Sequence, residues 1–442
     1  MRFFDREKEK ALLERTREVA FNVHSQMTVV TGRRRIGKTK LILTSYADKP
    51  CLYLFVSRSN EAQLCEGFAQ LASQTLGMFI PTGIKTFAAL FELLMQFGKH
   101  QSFTLVIDEF QDFTYINTAV FSQMQDIWDR YKDSTHVNLV ISGSVYTLMT
   151  RLFQDAKEPL FGRADHILNL RPFRTKVIQD ILQEHNPGFK PDDLLALYTY
   201  TGGIPKYIEI LMDNGCFTFR KMVDFMTSPD SYFLNEGRAL LISEFGRDYG
   251  SYFSVLSAIA QGHTLPREIA SDMGNSEIGG QLKRLEEDYR LIAKNRPAFA
   301  KPRSQTIRYE ISDIFLRTWF RYFYRYRFLI EAEQYGQLAD ILIKDYQTYS
   351  GRILEQWFRE KLRETGRYQN VSGWWNRTKG ENPAELDIVA LEADGRKMLL
   401  AEVKRQRRHF DKAAFDAKIN LFKDTVSPKA EIEKKFFSLE DM

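Results

Sequence analysis

The sequence has few cysteines and no long apolar run, the features typical of secreted and membrane proteins. Only three of its 442 residues are cysteine, and Cys51, Cys65 and Cys216 show neither a disulfide framework nor the paired spacing of a zinc site. No apolar run approaches the roughly 18 residues that a membrane helix needs, and the first residues are already charged. We therefore expect a cytoplasmic protein with no membrane partner.

Excess charge, internal repeats and low-complexity segments are also scarce. The 62 lysines and arginines against 57 acidic residues leave a net charge of +5, which is too small over this length to indicate a nucleic-acid partner by itself. Positive charge gathers late in the chain, where any one cluster is equally well explained as a solvated helix face. The hydrophobic content of 44% predicts a globular chain of two to four domains.

The first part of the chain alternates short β-rich runs with longer helical patterns. The runs cover residues 27–31, 52–56, 104–107, 137–141 and 166–170. This alternation is typical of a parallel sheet covered by helices. We therefore predict an α/β core over residues 1–170.

The first β-rich run leads into a complete phosphate-binding loop. The loop consists of Gly32, Arg33, Arg34, Arg35, Ile36, Gly37, Lys38 and Thr39. Its glycines allow backbone N–H groups to surround phosphates, and the helix that follows adds its positive dipole. We expect Lys38 to contact the β and γ phosphates of ATP and Thr39 to ligate Mg²⁺.

Two acidic residues end the third β-rich run and support this site. Asp108 is expected to hold the Mg²⁺ shell, and Glu109 to orient or deprotonate the attacking water. The alternative, solvated acids at a strand end, is common for such a pair alone. Beside a complete phosphate loop, the pair favours ATP hydrolysis.

The middle of the chain is mostly helical. Residues 171–245 are interpreted as a helical lid, and residues 246–311 as a winged helix, because helical segments there precede two short β-like runs. Residues 312–344 form a helical connector. Its Arg317, Arg321 and Arg325 share one helical stripe, which favours a structural helix between domains.

A hairpin near the end of the chain carries the second candidate site. A turn at Asp394–Gly395 places Asp387 opposite Glu402. The same register places Glu385 opposite Lys404, on the same face of the sheet. Two such carboxylates suit Mg²⁺ or Mn²⁺, and the lysine can activate a metal-bound water for phosphodiester hydrolysis. An exposed hairpin with ordinary ion pairs is the alternative, and a longer loop with a bulge would change the pairs.

Several short motifs together resemble the archaeal-type ATPases of the STAND group, relatives of AAA+ proteins. They are Phe4-Asp-Arg-Glu7, the phosphate loop, Asp108-Glu109, Ser142-Gly-Ser144, Phe161-Gly-Arg163 and Gly203-Ile-Pro205. The resemblance covers residues 1 to about 330. It implies that Ser144 senses the γ phosphate, that Pro205 belongs to a lid motif contacting nucleotide, and that Arg163 acts on phosphate in its own or a neighbouring subunit.

The end of the chain resembles the PD-(D/E)XK nuclease fold. Asp387 and Glu402-Val-Lys404 carry the resemblance, with Glu355 similar to the upstream acidic residue of that fold. Leu386 stands where the usual proline would be. The resemblance implies an α/β restriction-endonuclease-like domain over residues 345–442, with a catalytic set of Glu355, Asp387, Glu402 and Lys404.

Further residues near this motif suit nucleic acid. Arg405, Arg407 and Arg408 would meet a phosphate backbone, whereas Trp374 and Trp375 are more readily explained by packing than by base stacking.

These patterns lead us to expect an ATP-hydrolysing switch that controls a metal-dependent nuclease-like domain acting on nucleic acid, with DNA favoured over RNA. The alternative is a non-cleaving, nucleotide-gated DNA-binding or scaffolding protein. A motor or loader is a third interpretation. Association of copies through the ATPase module is left open.

Overall fold

The computed structural model describes residues 2–245, 249–301, 303–304, 306–376 and 384–442. These residues form two compact units. The first comprises residues 5–171, and the second comprises residues 2–4 together with 172–442.

The first unit is a five-stranded parallel sheet with seven helices. Its strands, in the spatial order β2-β3-β4-β1-β5, are β1 (Gln26–Thr31), β2 (Cys51–Phe55), β3 (Phe103–Asp108), β4 (Val137–Ser142) and β5 (His166–Asn169). Its helices are α1 (Glu7–Asn22), α2 (Lys38–Ser45), α3 (Glu61–Leu76), α4 (Phe87–Phe97), α5 (Phe113–Ile116), α6 (Ala119–Tyr131) and α7 (Tyr146–Gln154).

The burial of the strands follows from their sequences. Every residue of β1, β3 and β4 is buried, as expected of apolar runs in the middle of a parallel sheet. The outer strands β2 and β5 are only partly buried. Each strand lies within one residue of its predicted bounds, so the predicted parallel sheet is confirmed.

The second unit begins with helices. The predicted helical region contains α8 (Thr175–His185), α9 (Pro191–Thr201), α10 (Pro205–Asp213), α11 (Phe219–Met226) and α12 (Tyr232–Phe245). Three helices and an antiparallel hairpin follow, in the order expected for the next predicted region: α13 (Tyr249–Ala260), α14 (Pro266–Asp272), α15 (Gly279–Lys283), a π-helical turn (Arg284–Asp288), β6 (Ile292–Asn295) and β7 (Arg308–Ile311).

A long helix crosses a predicted domain boundary. After α16 (Ile314–Trp319), a π-helical turn (Phe320–Tyr324) and α17 (Arg327–Glu331), the 30-residue helix α18 extends over Tyr335–Glu364. The boundary predicted between residues 344 and 345 lies inside α18, because no proline interrupts the helical pattern there.

Two arginines of the predicted stripe pack against α18. Arg321 donates two hydrogen bonds to Asp345, at 2.7 and 3.0 Å, and its guanidinium lies 4.9 Å from the centre of the Tyr349 ring. Arg317 donates to the side chain of Gln356. These contacts agree with the structural interpretation of the stripe.

A mixed four-stranded sheet ends the second unit. Its elements are β8 (Tyr368–Trp375), β9 (Glu385–Glu392), β10 (Lys397–Val403), α19 (Lys412–Val426) and β11 (Glu431–Phe437). The spatial order is β11-β10-β9-β8, with β10 and β11 parallel and the other neighbours antiparallel.

The register of the β9–β10 hairpin is the predicted one. Met398 pairs with Leu391 and Ala401 pairs with Ile388, which continues to Asp387 opposite Glu402. Gly395 has a φ of 72°, a conformation that favours glycine in the turn.

The second predicted pair of the hairpin does not form an ion pair. Glu385 does not meet Lys404, because its carboxylate accepts a 2.8 Å hydrogen bond from Arg308 of β7. The ammonium of Lys404 turns instead to Glu402, at 2.7 Å. The ion pair with another segment of the unit therefore replaces the cross-strand pair.

No helix among the described residues is long and apolar enough to cross a membrane.

Two helical glycines test the packing of the second unit. A Cβ on Gly237 of α12 would lie 2.2 Å from the ring of the buried Trp319, whereas one on Gly351 of α18 would meet no atom within 4 Å. We expect Gly237→Ala to lower the free energy of unfolding by about 1–3 kcal/mol. Gly351→Ala, the matched control, should raise it by about 0.5–1 kcal/mol. Chemical denaturation followed by circular dichroism measures both, and equal effects would contradict the described packing.

Candidate functional site

The phosphate loop joins the carboxyl end of β1 to α2. Three of its residues have positive φ, namely Gly32 at 143°, Arg35 at 73° and Gly37 at 90°. A Cβ on Gly32 would stand 2.8 Å from the carbonyl oxygen of Leu170, so only glycine fits there. The buried Ile36 side chain lies beside the same glycine. The loop has the geometry that turns successive N–H groups inward.

Lys38 and Thr39 extend from the first turn of α2. The buried ammonium of Lys38 donates to the carbonyls of Gly32, at 2.9 Å, and Arg33, at 3.2 Å. It is thereby held along the loop, where phosphate oxygens would bind. Among the other loop arginines, Arg34 is exposed and Arg35 partly buried.

The threonine contacts the aspartate at the end of β3. Thr39 donates a 2.9 Å hydrogen bond from its hydroxyl to Asp108 Oδ2. Because parallel strands β1 and β3 end at the same edge of the sheet, the two ligands predicted for Mg²⁺ lie together. An oxygen pair of this kind fits Mg²⁺, which keeps several waters beside a few protein oxygens.

Glu109 is held by two polar side chains. It has a φ of 54°, and its carboxylate accepts hydrogen bonds from Ser144, at 2.6 Å, and from Gln111, at 2.5 Å. Ser144 follows β4 and thus reaches the same sheet edge. Its contact with Glu109 fixes the carboxylate, and its predicted role as γ-phosphate sensor stays a prediction.

Two further residues at this site were not predicted. The Tyr53 hydroxyl of β2 donates a 2.5 Å hydrogen bond to Asp108, and burial raises the pKa of this phenol. The second is Gln111, which lies in the turn after β3. Neither belongs to a recognisable motif. The only sequence feature that indicated either residue is the alternation of β2, which turns Tyr53 to one face of the sheet.

Arg163 lies away from the phosphate loop of its own chain. It bonds Asp129 at 3.1 Å and the carbonyl of Phe161. The nearby Asp165 caps the N–H of Met27, at the amino end of β1 and thus at the sheet edge opposite the loop. The structure therefore does not bring Arg163 to the nucleotide within one subunit. Its action on a neighbouring subunit stays a prediction.

Pro205 belongs to the second unit, where it is the first residue of α10. The preceding Gly203 has a φ of 75°, and its carbonyl accepts a 2.8 Å hydrogen bond from the N–H of Phe173. A contact between Pro205 and nucleotide stays a prediction.

The second candidate site is built from the carboxylates of Glu355 on α18, Asp387 on β9 and Glu402 on β10. The ammonium of Lys404 lies 2.7 Å from Glu402 Oε1 and 4.0 Å from Asp387 Oδ2. Asp387 also accepts a 2.8 Å hydrogen bond from the N–H of Val403. The hairpin therefore places both cross-strand acids within reach of one amine.

Two basic residues of this site were not predicted from the sequence. Lys418 of α19 donates a 2.8 Å hydrogen bond to Glu402 Oε1. Arg359, one turn after Glu355, lies 3.4 Å from that carboxylate and donates to the carbonyl of Asp387 at 2.9 Å. Their spacing offered weak signals: Arg359 follows Glu355 by four residues, and Lys418 adjoins the buried Ile419.

The acids of the site repel one another. Burial, together with the charge of Asp387, raises the pKa of Glu355 above its ordinary range. Burial and the charge of Glu402 likewise raise the pKa of Asp387. Burial alone would lower the pKa of Lys404, but its hydrogen bond to Glu402 and the charge of Asp387 raise it. A cation among these carboxylates would relieve the repulsion.

The residues fit a divalent metal in one specific respect. Glu402 Oε1 accepts from two lysines, but Oε2 is buried with no hydrogen-bond partner among the described residues. No cluster of three or more His, Cys, Asp or Glu side chains suited to a metal occurs in the described part of the chain. Asp387 and Glu402 therefore offer a two-carboxylate site, as Mg²⁺ commonly uses.

The carboxylates open into a cleft of about 1300 Å³ within the second unit. Its walls come from the start of α14, the β6–β7 hairpin, α18 and the β8–β10 strands. Ten lysines and arginines line it against six acidic residues. The cleft therefore carries a positive excess around its carboxylates.

Residues predicted to face a phosphate backbone are placed differently. Arg405 is only 16% exposed and bonds Asp192 of α9 at 2.6 Å, so it is not available to a ligand in this arrangement. Arg407 is on the surface and pairs with Asp441. Trp374 is buried against Phe422, as packing predicted, whereas Trp375 is half-buried and lines the cleft.

The first site defines a P-loop ATPase domain, and comparison with known proteins agrees. Residues 3–211 match a family described as an ATPase domain predominantly from Archaea, and residues 319–414 match one described as Archaea bacterial proteins of unknown function. The chain is also 30% identical over 413 residues to the uncharacterized protein MJECL04 of Methanocaldococcus jannaschii, covering 91% of this chain and 87% of that protein. The chain therefore belongs to the family of this relative and carries an archaeal-type P-loop ATPase domain.

Two solved structures are similar to this chain. The Walker-type ATPase paby2304 of Pyrococcus abyssi has a TM-score of 0.54 at 17% identity, covering 72% of this chain and 96% of that one. The ORC2 protein of Aeropyrum pernix, in its ADPNP-ADP complexes, has a TM-score of 0.48 at 13% identity, covering 77% and 95%. The first of these likenesses shows a shared fold.

The contacts of Glu109 lead to a prediction for the ATPase site. Glu109→Gln keeps the shape of the side chain but removes its basicity, so we expect ATP to bind and hydrolysis to fall by about 10²–10⁴-fold. Nucleotide affinity and steady-state phosphate release measure the two effects. Glu66→Gln, on the exposed face of α3, is the matched control and should hydrolyse ATP normally. Unchanged hydrolysis in Glu109→Gln would contradict the role of this carboxylate.

Proposed function

We propose that the chain is a STAND-type, ATP-hydrolysing switch whose nucleotide state controls metal-dependent cleavage of nucleic acid, DNA in preference to RNA, by a restriction-endonuclease-like C-terminal domain. The observation that carries the cleavage proposal is the pairing of Asp387 and Glu402 across the hairpin, with Lys404 between them and Glu402 Oε2 unpartnered. Mg²⁺ or Mn²⁺ held there would polarise a phosphodiester and activate water.

The residues of this chain would divide the work. Asp387 and Glu402 would hold the metal, and Lys404 would position the attacking water or take up its charge. Glu355, whose pKa is raised, would become a further acceptor once a cation reduces the repulsion among the acids. Arg359 would fix Asp387 and Glu355 through the contacts described above, so its role is positioning.

Control of this site requires a path from the helices that follow the ATPase sheet. Asp192 of α9 accepts hydrogen bonds from Tyr346 of α18, at 3.0 Å, and from Arg405, at 2.6 Å. Arg405 directly follows Lys404 and also donates to Ser350. A displacement of α9 would therefore shift Arg405, the residue next to the proposed catalytic lysine. The winged helix, which packs in the same core, would move as well.

A second candidate function rests on the two lysines at Glu402. Because Lys404 and Lys418 both bond Oε1, the carboxylate is partly neutralised by the protein itself. This favours a non-cleaving, nucleotide-gated DNA-binding or scaffolding protein, in which the basic cleft binds and the acids only stabilise it.

Cleavage tests the proposal directly. With Mg²⁺ or Mn²⁺ and ATP, wild type is expected to cut labelled DNA, and Asp387→Asn should abolish cutting because a metal ligand is lost. Asp394→Asn, in the exposed turn of the same hairpin, is the matched control and should cut normally. Gel separation of products measures the loss. Dependence of cutting on Lys38 would show control by nucleotide.

If wild type hydrolyses ATP but cuts no single- or double-stranded DNA or RNA with either metal, the non-cleaving function is favoured. Equal cutting by wild type and Asp387→Asn would contradict the assigned site.

The Asp192–Arg405 contact yields a separate prediction. We expect Arg405→Gln to uncouple cleavage from ATP, so that cutting with and without ATP becomes similar while ATP hydrolysis is unchanged. Arg407→Gln, whose side chain is 60% exposed, is the matched control. Asp192→Asn should reproduce the effect, and the double variant should add nothing further. Normal ATP dependence in all three variants would contradict this path.

A further inference from the structure

The loop between β6 and β7 borders the basic cleft, to whose lining it contributes Arg296 and Ser304. We call residues 296–301 the wing loop. The N–H of Ala298 donates a 2.9 Å hydrogen bond to the carbonyl of Gly373 on β8. Ala298 is buried in the same apolar cluster as Trp374 and Phe422, and Phe299 lies 6.2 Å from Phe422 between ring centres. The wing loop is therefore docked on the sheet that carries the carboxylates.

Arg308 connects the β6–β7 hairpin to the sheet that carries the carboxylates. Arg308 of β7 bonds Glu385 at 2.8 Å, and its guanidinium lies 4.4 Å from the centre of the Trp375 ring. Glu385 is two residues before Asp387, so both side chains emerge on the same face of β9. The half-buried Trp375 ring thus lines the cleft close to the proposed cleavage site.

The size and charge of the cleft indicate what it admits. Its volume of about 1300 Å³ exceeds the roughly 300–1,000 Å³ of small-ligand pockets, and its lysines and arginines outnumber its acids. A basic groove with an aromatic face is the arrangement that binds unpaired strands, because every base can stack on a ring while the backbone follows the cations. A duplex has its base faces hidden, so its bases could not stack on this ring.

We propose that this cleft binds single-stranded nucleic acid, as an unpaired end or flap lying in the cleft beside the docked wing loop, with one base stacked on Trp375 and a phosphate on Arg308. Arg308 exchanges Glu385 for the phosphate when the strand enters. This inference rests on the proposed function, since it specifies the substrate of the same site, but it concerns binding and does not require cleavage.

Binding is measured without metal so that no cutting occurs. Wild type in EDTA is titrated into fluorescein-labelled oligonucleotides of about 15 nucleotides, a length within the usual range for single-strand sites. The probes are single-stranded DNA, the same sequence as RNA, a blunt DNA duplex, and that duplex with a single-stranded overhang. Anisotropy is expected to show the single strand and the overhang binding at least about ten-fold more tightly than the blunt duplex. The RNA probe shows which backbone the cleft prefers.

Variants identify the contacts. Trp375→Ala should weaken single-strand binding by at least about five-fold, whereas Trp375→Phe, which keeps an aromatic face, should restore most of it. Arg308→Ala should weaken binding and reduce the salt dependence by about one phosphate contact. Arg396→Ala, at the exposed far end of the β9–β10 hairpin, is the control for lost charge. An unchanged denaturation midpoint, followed by circular dichroism, would show that each variant is folded.

The outcomes separate this inference from the proposed function. Equal affinity for blunt duplex and single strand, or unchanged single-strand affinity in both Trp375→Ala and Arg308→Ala, would overturn it. Single-strand preference that depends on Trp375, in a protein that cuts nothing, would support it while removing the nuclease. Metal-dependent cutting inside blunt duplexes without single-strand preference would support the nuclease and overturn this inference.

Discussion

The second unit depends on the packing of one helix, α18. In its first half, Asp345 accepts a hydrogen bond from Arg321, and Tyr346 donates one to Asp192 of α9. Its second half contributes Glu355 and Arg359 to the acidic site. Most of its buried residues belong to the large apolar core shared by the helical region and part of the final sheet. The helical region and the acidic site therefore share one structural element.

The two candidate sites solve the same electrostatic problem differently. In the first, Asp108 shares its charge with neutral hydroxyls from Thr39 and Tyr53. In the second, Glu402 meets two ammonium groups and still keeps one buried oxygen without a partner. Neutral donors yield readily to a cation, whereas lysines compete with it. A metal at the second site would therefore have to compete with two lysines for Glu402 Oε1.

Sequence patterns predicted the elements better than the contacts between distant segments. The five strands and the Asp387–Glu402 register followed from apolar runs and from the turn at Asp394–Gly395, which are local signals. Arg405 and Glu385 were placed wrongly or incompletely, because their partners Asp192 and Arg308 lie 213 and 77 residues away. The edge of the sheet that Arg163 occupies also depends on chain topology, which its motif does not encode. Side chains without a motif, such as Lys418 and Tyr53, are found only when the fold brings them in.

The outer strand β11 has a consequence for self-association. It ends the mixed sheet, and an unpaired strand edge ordinarily invites a strand from another molecule. Here the edge carries charged side chains, with Lys434 paired to Asp416 on α19 and Lys435 to Glu433. Stripping water and ion partners from these groups would oppose strand addition. The β11 edge is therefore poorly suited to pairing with a strand of another copy.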